Sequence, residues 1–239
     1  MSNLGTKVTD WSGLPSGTLL QRCVQQQLDH LLWNRFGFHL LSLGPLAEGL
    51  NYDSSPTKLH CTLSSQQGRI IGQEERLPLR SDSIDVVVLP LTLDFCADPY
   101  ALLREVQRVI IGDGHLLIVG LNPWSLWGAR RYIGRRNHPL WQSRFLAKQR
   151  VTDWLRLLGF EVEEQQHFFY KPPLKTPRWQ QRWEFVERVG AKAWPFAGAC
   201  YSLCAQKREM PMTPIRLRKP RLVSIPVGLP SPSRREQAA

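Results

Sequence analysis

Long apolar runs are missing: no stretch of about 18 hydrophobic residues occurs that could cross a bilayer as a helix. The opening residues MSNLGTKVTDWSGLP contain no apolar core of signal-peptide length. Cysteine is sparse and odd in number, at Cys23, Cys61, Cys96, Cys200 and Cys204, with no CxxC pair and no His/Cys cluster at zinc-finger spacing. A disulfide scaffold and a structural zinc site are thereby excluded, and a cytoplasmic protein with reduced thiols is expected. No G-x-G-x-x-G follows any apolar run, which argues against a nicotinamide-dependent dehydrogenase. No internal repeat is visible.

What is present has the composition of a soluble domain, 42% hydrophobic and 21% charged over 239 residues. The length suits one generous domain, or one domain with extensions. Positive charge is unevenly placed. Residues 1–120 sum to −3, residues 121–206 to +8 and residues 207–239 to +6. An excess confined to the second half implies a face that meets something anionic. The last segment, 207–239, holds six of the eighteen prolines and no aromatic residue. It reads as a basic, proline-rich disordered tail after a domain of residues 1–206, serving solubility or contact with an anionic surface.

The apolar spacing of Leu20, Val24, Leu28 and Leu31 predicts an amphipathic helix over 17–33, with Ser16 as its cap. A first buried strand is expected at His39–Leu43, with weaker strands at Leu59–Leu63 and Arg69–Gly72. Ile84–Leu89 is a continuous β-branched run, the pattern of a parallel strand covered on both faces. Asp98 and Pro99 form an N-cap and first-turn pair for a helix striped by Leu102, Val106 and Val109 and ending at Gly112. A strand at His115–Leu121 completes a βαβ unit. Val151, Leu155 and Leu158 mark another helix, closed by Gly159, before strands at Phe160–Tyr170 and Ala199–Ala205. A short helix is expected around Trp179–Gly190. The alternation predicts an α/β fold with a mainly parallel sheet and an antiparallel last strand.

The run from Gly72 to Pro123 resembles the central stretch of type 11 class I S-adenosylmethionine-dependent methyltransferases, which include ubiquinone and menaquinone biosynthesis enzymes. The matching pieces are Leu77-Pro78, Ser83-Ile84-Asp85-Val86-Val87, Asp98-Pro99, Leu103-Arg104-Glu105-Val106 with Arg108-Val109, and Gly112-Asp113-Gly114. Across its whole length the chain is similar to a bacterial group of methyltransferase-like proteins, the YafS-like group. The resemblance implies a Rossmann-like methyltransferase fold and S-adenosyl-L-methionine as cofactor.

In a doubly wound sheet the ligand sits at the carboxyl ends of the strands. The resemblance therefore places the methionine end of the cofactor near Gly44, Gly49 and Leu91, and its adenine near Gln73, Glu74 and Leu77. The chain departs from the family here. Of the usual acid and G-x-G-x-G after the first strand, Ser42-Leu43-Gly44-Pro45-Leu46-Ala47-Glu48-Gly49 retains Gly44, with Gly49 as a shifted substitute. No carboxylate stands near Thr62, where the ribose-binding acid would fall. Eighteen residues from Gly44 to Thr62, broken by Asn51–Pro56, and the short gap from Ser65 to Arg69 leave the cofactor-side helices shortened.

Asp94, just beyond the fourth strand, is the candidate general base or acceptor-orienting group. The segment 122–150 carries Trp124, Trp127, Tyr132 and Trp141 with seven Arg and Lys, among them Arg130, Arg131 and Arg135, and no acidic residue. In the family this position forms the lid over the acceptor, so Trp124, Trp127, Arg130, Arg131 and Arg135 are expected on one surface at the pocket mouth. Such a surface suits a small-molecule or lipid-like anionic acceptor, peripheral membrane contact or, less well, nucleic acid. The two functional readings are methyl transfer to such an acceptor, and a degenerate methyltransferase fold that binds a partner without catalysis.

Overall fold

The computed structural model describes residues 8, 10–64, 70–71, 76–133, 138–171 and 196–208, giving only the backbone of 70, 71, 132, 133 and 139. The expected helix at Trp179–Gly190 and the segment after Arg208 lie outside the described residues.

Seven strands form one sheet among the described residues: β1 His39–Leu43, β2 Leu59–Ser64, β3 Ile70–Ile71, β4 Ile84–Pro90, β5 Ile110–Leu121, β6 Phe160–Phe168 and β7 Cys200–Lys207. Their order is β3-β2-β1-β4-β5-β7-β6. The first five run parallel, and β7 lies antiparallel between β5 and β6. β4 occupies the centre, as the apolar run Val86–Leu89 that follows Asp85 requires, since both of its faces are covered.

Strand alternation divides the core. Leu40, Val86, Val88, Leu117 and Val119 face one layer, where α1 (Gly17–Leu32) contributes Leu20, Val24, Leu28, Leu31 and Leu32. Leu41, Leu43, Val87, Leu89, Leu116 and Ile118 face the other. There α3 (Pro99–Val109) supplies Leu102, Leu103, Val106 and Val109, and α5 (Lys148–Leu157) supplies Val151 and Leu155. Each fully buried Leu or Val contributes on the order of 2 kcal/mol relative to exposure. Asp98 caps α3 as its sequence indicates, its carboxylate accepting from the N–H groups of Tyr100 and Ala101 at 3.1 Å.

Several boundaries move. α3 ends at Val109 rather than Gly112, because Ile110 pairs with Ile84 and begins the strand. Residues 111–114 then bulge out before Val86 meets His115. β7 continues to Lys207, which the sequence assigned to the tail. Between β1 and β2 a single 3₁₀ turn, Ala47–Gly49, stands where a crossover helix would be. This is the shortening that the spacing implied.

Candidate active site

The direction of chain progression reverses between β1 and β4, since β1 is followed outward by β2 and β4 by β5. A crevice at the carboxyl ends of those two strands is the place for a ligand in such a sheet. Both strands leave it through a left-handed residue, Gly44 with φ +109° and Leu91 with φ +58°. For buried Leu91 that conformation costs about 1–3 kcal/mol and persists only where surroundings enforce it. Its N–H donates to the Val119 carbonyl at 2.8 Å, and its own carbonyl accepts from Asp94 N–H at 3.2 Å, opening the short helix α2 (Thr92–Phe95).

The loop after β1 is closed upon the chain itself. Thr92 Oγ1 donates to the Leu43 carbonyl at 2.5 Å, and the Thr92 side chain occupies the space beside Gly44 that a Cβ would need. The Gly44 N–H is taken by the Leu63 carbonyl at 3.0 Å. Gly49 packs against the Trp11 indole, whose Nε1 donates to the Leu46 carbonyl at 2.9 Å. Tyr52 is buried beneath the loop, its hydroxyl bonded to Ser42 Oγ at 2.5 Å and donating to the Ala47 carbonyl at 3.1 Å. Burial pushes that phenol well above its ordinary range. Trp11 and Tyr52 thus do the packing that the missing helix would do.

Asp94 is buried in α2, not placed on a solvated loop. One carboxylate oxygen accepts from Leu121 N–H at 2.9 Å and the other from Leu146 N–H at 3.3 Å, while its backbone carbonyl accepts from Arg144 N–H at 2.8 Å. Burial drives its pKa well above the carboxylate range, opposed by the two N–H donors and by the charge of Arg131. A carboxyl so enclosed ties the end of β5 to the 144–146 segment, a positioning arrangement without access to an acceptor.

The lid expectation divides. Trp124 is 80% exposed, in the turn that follows β5, whereas Trp127 is 1% exposed in α4 (Leu126–Ile133). The Trp127 ring meets Trp141 and Phe169 at centroid distances of 5.9 and 5.6 Å, and its Nε1 donates to the Lys171 carbonyl at 2.9 Å. The two tryptophans therefore do not share a surface. Arg130 lies over the Trp141 ring and Arg131 over Phe145, at 5.8 and 5.4 Å. Leu77 is buried, its N–H donating to Glu105 and its carbonyl accepting from Arg108. Gln73, Glu74 and Arg135 lie outside the described residues.

Two features escaped the sequence reading. Asn122 organises the turn after β5. Its Nδ2 donates to the carbonyls of Phe196 and Gly198 at 2.7 and 2.8 Å, and its Oδ1 accepts from Trp124 N–H at 3.0 Å. The Asn-Pro pair at 122–123 was the available signal. Tyr201, paired with His167 across β7 and β6, is fully buried, and its hydroxyl has no hydrogen-bond partner among the described residues. Burial and the charge of Lys148 lower His167 to about 4. Nothing in the sequence distinguished these two from ordinary strand residues.

Residues 36–118 match the family described as Methyltransferase domain. The chain is 33% identical over 207 residues to "Uncharacterized protein YafS" of Escherichia coli (strain K12), covering 85% of this chain and 82% of that protein. It is also 33% identical over 88 residues to the malonyl-[acyl-carrier protein] O-methyltransferase of Methylovorus sp. (strain MP688), 37% of this chain and 30% of that one. In fold it is similar to a SAM-dependent methyltransferase of Thermotoga maritima, with a TM-score of 0.56 and 17% identity over 80% of this chain and 92% of the other. Sheet order, the matched segment and the relative aligned over 82% of its length agree: the chain belongs to the class I S-adenosylmethionine-dependent methyltransferase family of type 11, alongside the Escherichia coli protein YafS.

Proposed function

We propose that this protein transfers a methyl group from S-adenosylmethionine to a small or lipid-like anionic acceptor. The observation that carries the reading is the pair of left-handed turns, Gly44 and Leu91, on the two strands that bound the crevice of a methyltransferase sheet. These turns suit the methionine end of the cofactor. The ribose end fits less well, since β2 closes with Thr62, Leu63 and Ser64 and no carboxylate. On the adenine side, Leu77 is the described residue among those expected to make contact.

When bound, the cofactor supplies an electrophilic methyl group on a sulfonium. The chain's own task is then alignment and exclusion of water. Proton removal is a poor task for Asp94, which is enclosed and raised in pKa. An acceptor that is already ionised needs no base, which favours a carboxylate or another oxyanion. Arg130 and Arg131, with no acidic residue from 122 to 150, supply the matching charge, and exposed Trp124 supplies an apolar face. The O-methyltransferase relative, by its name, methylates an oxygen, which supports the same class of acceptor.

A second reading, a methyltransferase fold that binds a partner without catalysis, is favoured by one observation: Thr92, Trp11 and Tyr52 close the loop around Gly44 and Gly49. Calorimetric titration with S-adenosylmethionine and S-adenosylhomocysteine separates the two. Saturable binding below about 1 mM supports the enzyme, and no heat at that concentration supports the binding protein.

A further inference from the structure

A cleft of about 810 Å³ opens at the end of the sheet opposite the crevice, between the last turn of α1 and the early residues of β5 and β6. One wall is built from charge. β6 is irregular between Val162 and Glu164, which interrupts the alternation of its side chains, and Glu163 and Glu164, neighbours in sequence, both reach Arg35. The guanidinium is fully engaged in holding them. Its Nη2 donates to Glu163 Oε2 at 3.3 Å and to Glu164 Oε1 at 2.9 Å, and its Nη1 donates to the Leu31 carbonyl. Arg35 is buried, while both carboxylates stay partly open to solvent.

α1 adds a third carboxylate, Asp29, whose Oδ1 accepts from the neutral Gln25 Nε2 at 2.8 Å. An acid in the last turn stands at the negative pole of its helix, where a cation is favoured. Three carboxylates thus line the cleft with one guanidinium, an excess of two negative charges in a chain whose formal net charge is +11. His115 lies 3.8 Å from Glu163, but burial lowers its pKa from the ordinary 6.5, so near neutral pH it does not offset that excess. The remaining lining includes Trp33, a ring 78% exposed. Carboxylates beside an open aromatic face suit an organic ammonium ion, whose N–H groups the oxygens accept and whose charge the ring attracts. Among the described residues no three His, Cys, Asp or Glu side chains converge as the ligands of a metal ion would.

We infer that this cleft binds a small organic diammonium ion, through Asp29, Glu163, Glu164 and the face of Trp33. Its two charges match the two that the guanidinium leaves uncompensated, and its alkyl chain covers the indole. The volume is that of a small-molecule site and exceeds what a single ammonium group fills. The site lies at the far end of the strands from the Gly44 and Leu91 turns and is independent of methyl transfer.

The test is calorimetric titration of the full chain with 1,4-diaminobutane, n-butylamine and magnesium chloride at matched ionic strength. The diamine binds one per chain with a Kd below about 1 mM, and butylamine binds about tenfold more weakly or worse. Magnesium does not displace the diamine. Asp29→Asn, Glu164→Gln and Trp33→Leu each weaken diamine binding about threefold or more. Asp153→Asn, at an exposed carboxylate outside the cleft, binds as the parent does. Asp29→Asn keeps an acceptor for Gln25 and Trp33→Leu alters an exposed ring, so both fold, and melting temperatures matching the parent establish it. The inference is overturned if the diamine Kd exceeds about 1 mM, if butylamine or magnesium binds as tightly, or if Asp29→Asn or Trp33→Leu binds like the parent. It is also overturned if Asp153→Asn loses binding equally, since the attraction would then be to negative charge in general. The readout uses neither S-adenosylmethionine nor an acceptor, so its failure leaves the methyl-transfer reading untouched.

Discussion

The side chain of Thr92 stands where a Cβ on Gly44 would have to go. The same hydroxyl bonds the Leu43 carbonyl, so the turn after β1 and the start of α2 are locked together across the crevice between β1 and β4. Glycine is needed at 44 twice over, for its φ of +109° and for the space Thr92 takes.

Gly44→Ala is accordingly expected to destabilise the protein by about 2–4 kcal/mol, combining a left-handed alanine with a side-chain clash. Thr92→Ala alone removes the Leu43 bond and costs about 1–2 kcal/mol. The double variant should lose less than the sum, because removing the Thr92 hydroxyl and methyl opens space for the new Cβ. Urea denaturation of the four proteins measures the coupling. Strict additivity would mean that the two residues do not share this space.

Asp94 and His167 give the stability a pH profile with two opposed parts. Asp94 has a folded pKa raised well above 3.8, so the folded state holds a proton that the unfolded chain releases. Its contribution is therefore present at low pH and lost as pH climbs through the raised value. His167 is lowered from 6.5 to about 4, so here the unfolded chain binds the extra proton. Its contribution is present above 6.5 and lost as pH falls toward 4. Asp94→Asn should flatten the neutral-side decline, and His167→Phe the acid-side one. Chemical denaturation between pH 4 and pH 8, in steps of about one unit, tests both signs.

Much of the scaffold was legible because single residue types carry it. The apolar run of Ile84–Leu89, interrupted by Asp85 alone, located the central strand, and Asp98-Pro99 located the start of α3. The helix end was misread because Gly112 is a plausible stop, yet Ile110 gains more by pairing with Ile84 in the sheet. The lid was misread for a geometric reason. Positions 124 and 127 share a face only if both lie in one helix, and α4 begins at Leu126. The enclosure of Asp94 was not legible because a position after a strand says nothing of burial, although its neighbours Leu91, Leu93, Phe95 and Cys96 hinted at an apolar setting. The closing of the Gly44 loop by Trp11, Tyr52 and Thr92 joins residues up to 81 positions apart, beyond any local pattern.

The two tryptophans should separate sharply on truncation. Trp127→Ala empties a site between Trp141 and Phe169 and removes the Nε1 bond to the Lys171 carbonyl, for a loss of about 3–5 kcal/mol. Trp124→Ala, at a position 80% exposed, should change stability by less than about 0.5 kcal/mol. If Trp124 lines the acceptor mouth, its removal raises KM for the acceptor without lowering the melting temperature. Equal melting temperatures for the two variants would contradict the packing described.

Lys207 closes β7 from a buried position, its Nζ donating to the Ile110 carbonyl at 2.7 Å and to Asp82 Oδ1 at 2.9 Å. Ile110 is the residue at which α3 gives way to β5, so this amine fixes the end of β7 to the start of the bulge. The bond to the carbonyl should matter more than the ion pair, because the Asp82 side chain is largely in water, where screening leaves an ion pair worth well under about 1 kcal/mol. Lys207→Met keeps the apolar stem and removes the donor, which should cost about 1–3 kcal/mol. Asp82→Asn keeps a residue that tolerates the left-handed conformation at φ +50° and removes only the charge, and should cost less than about 0.5 kcal/mol. Urea titration at pH 7 in low and high salt distinguishes the contributions. The Lys207→Met loss should persist in salt, and a loss that vanishes there would mean that the ion pair, and not the Ile110 carbonyl, holds the strand.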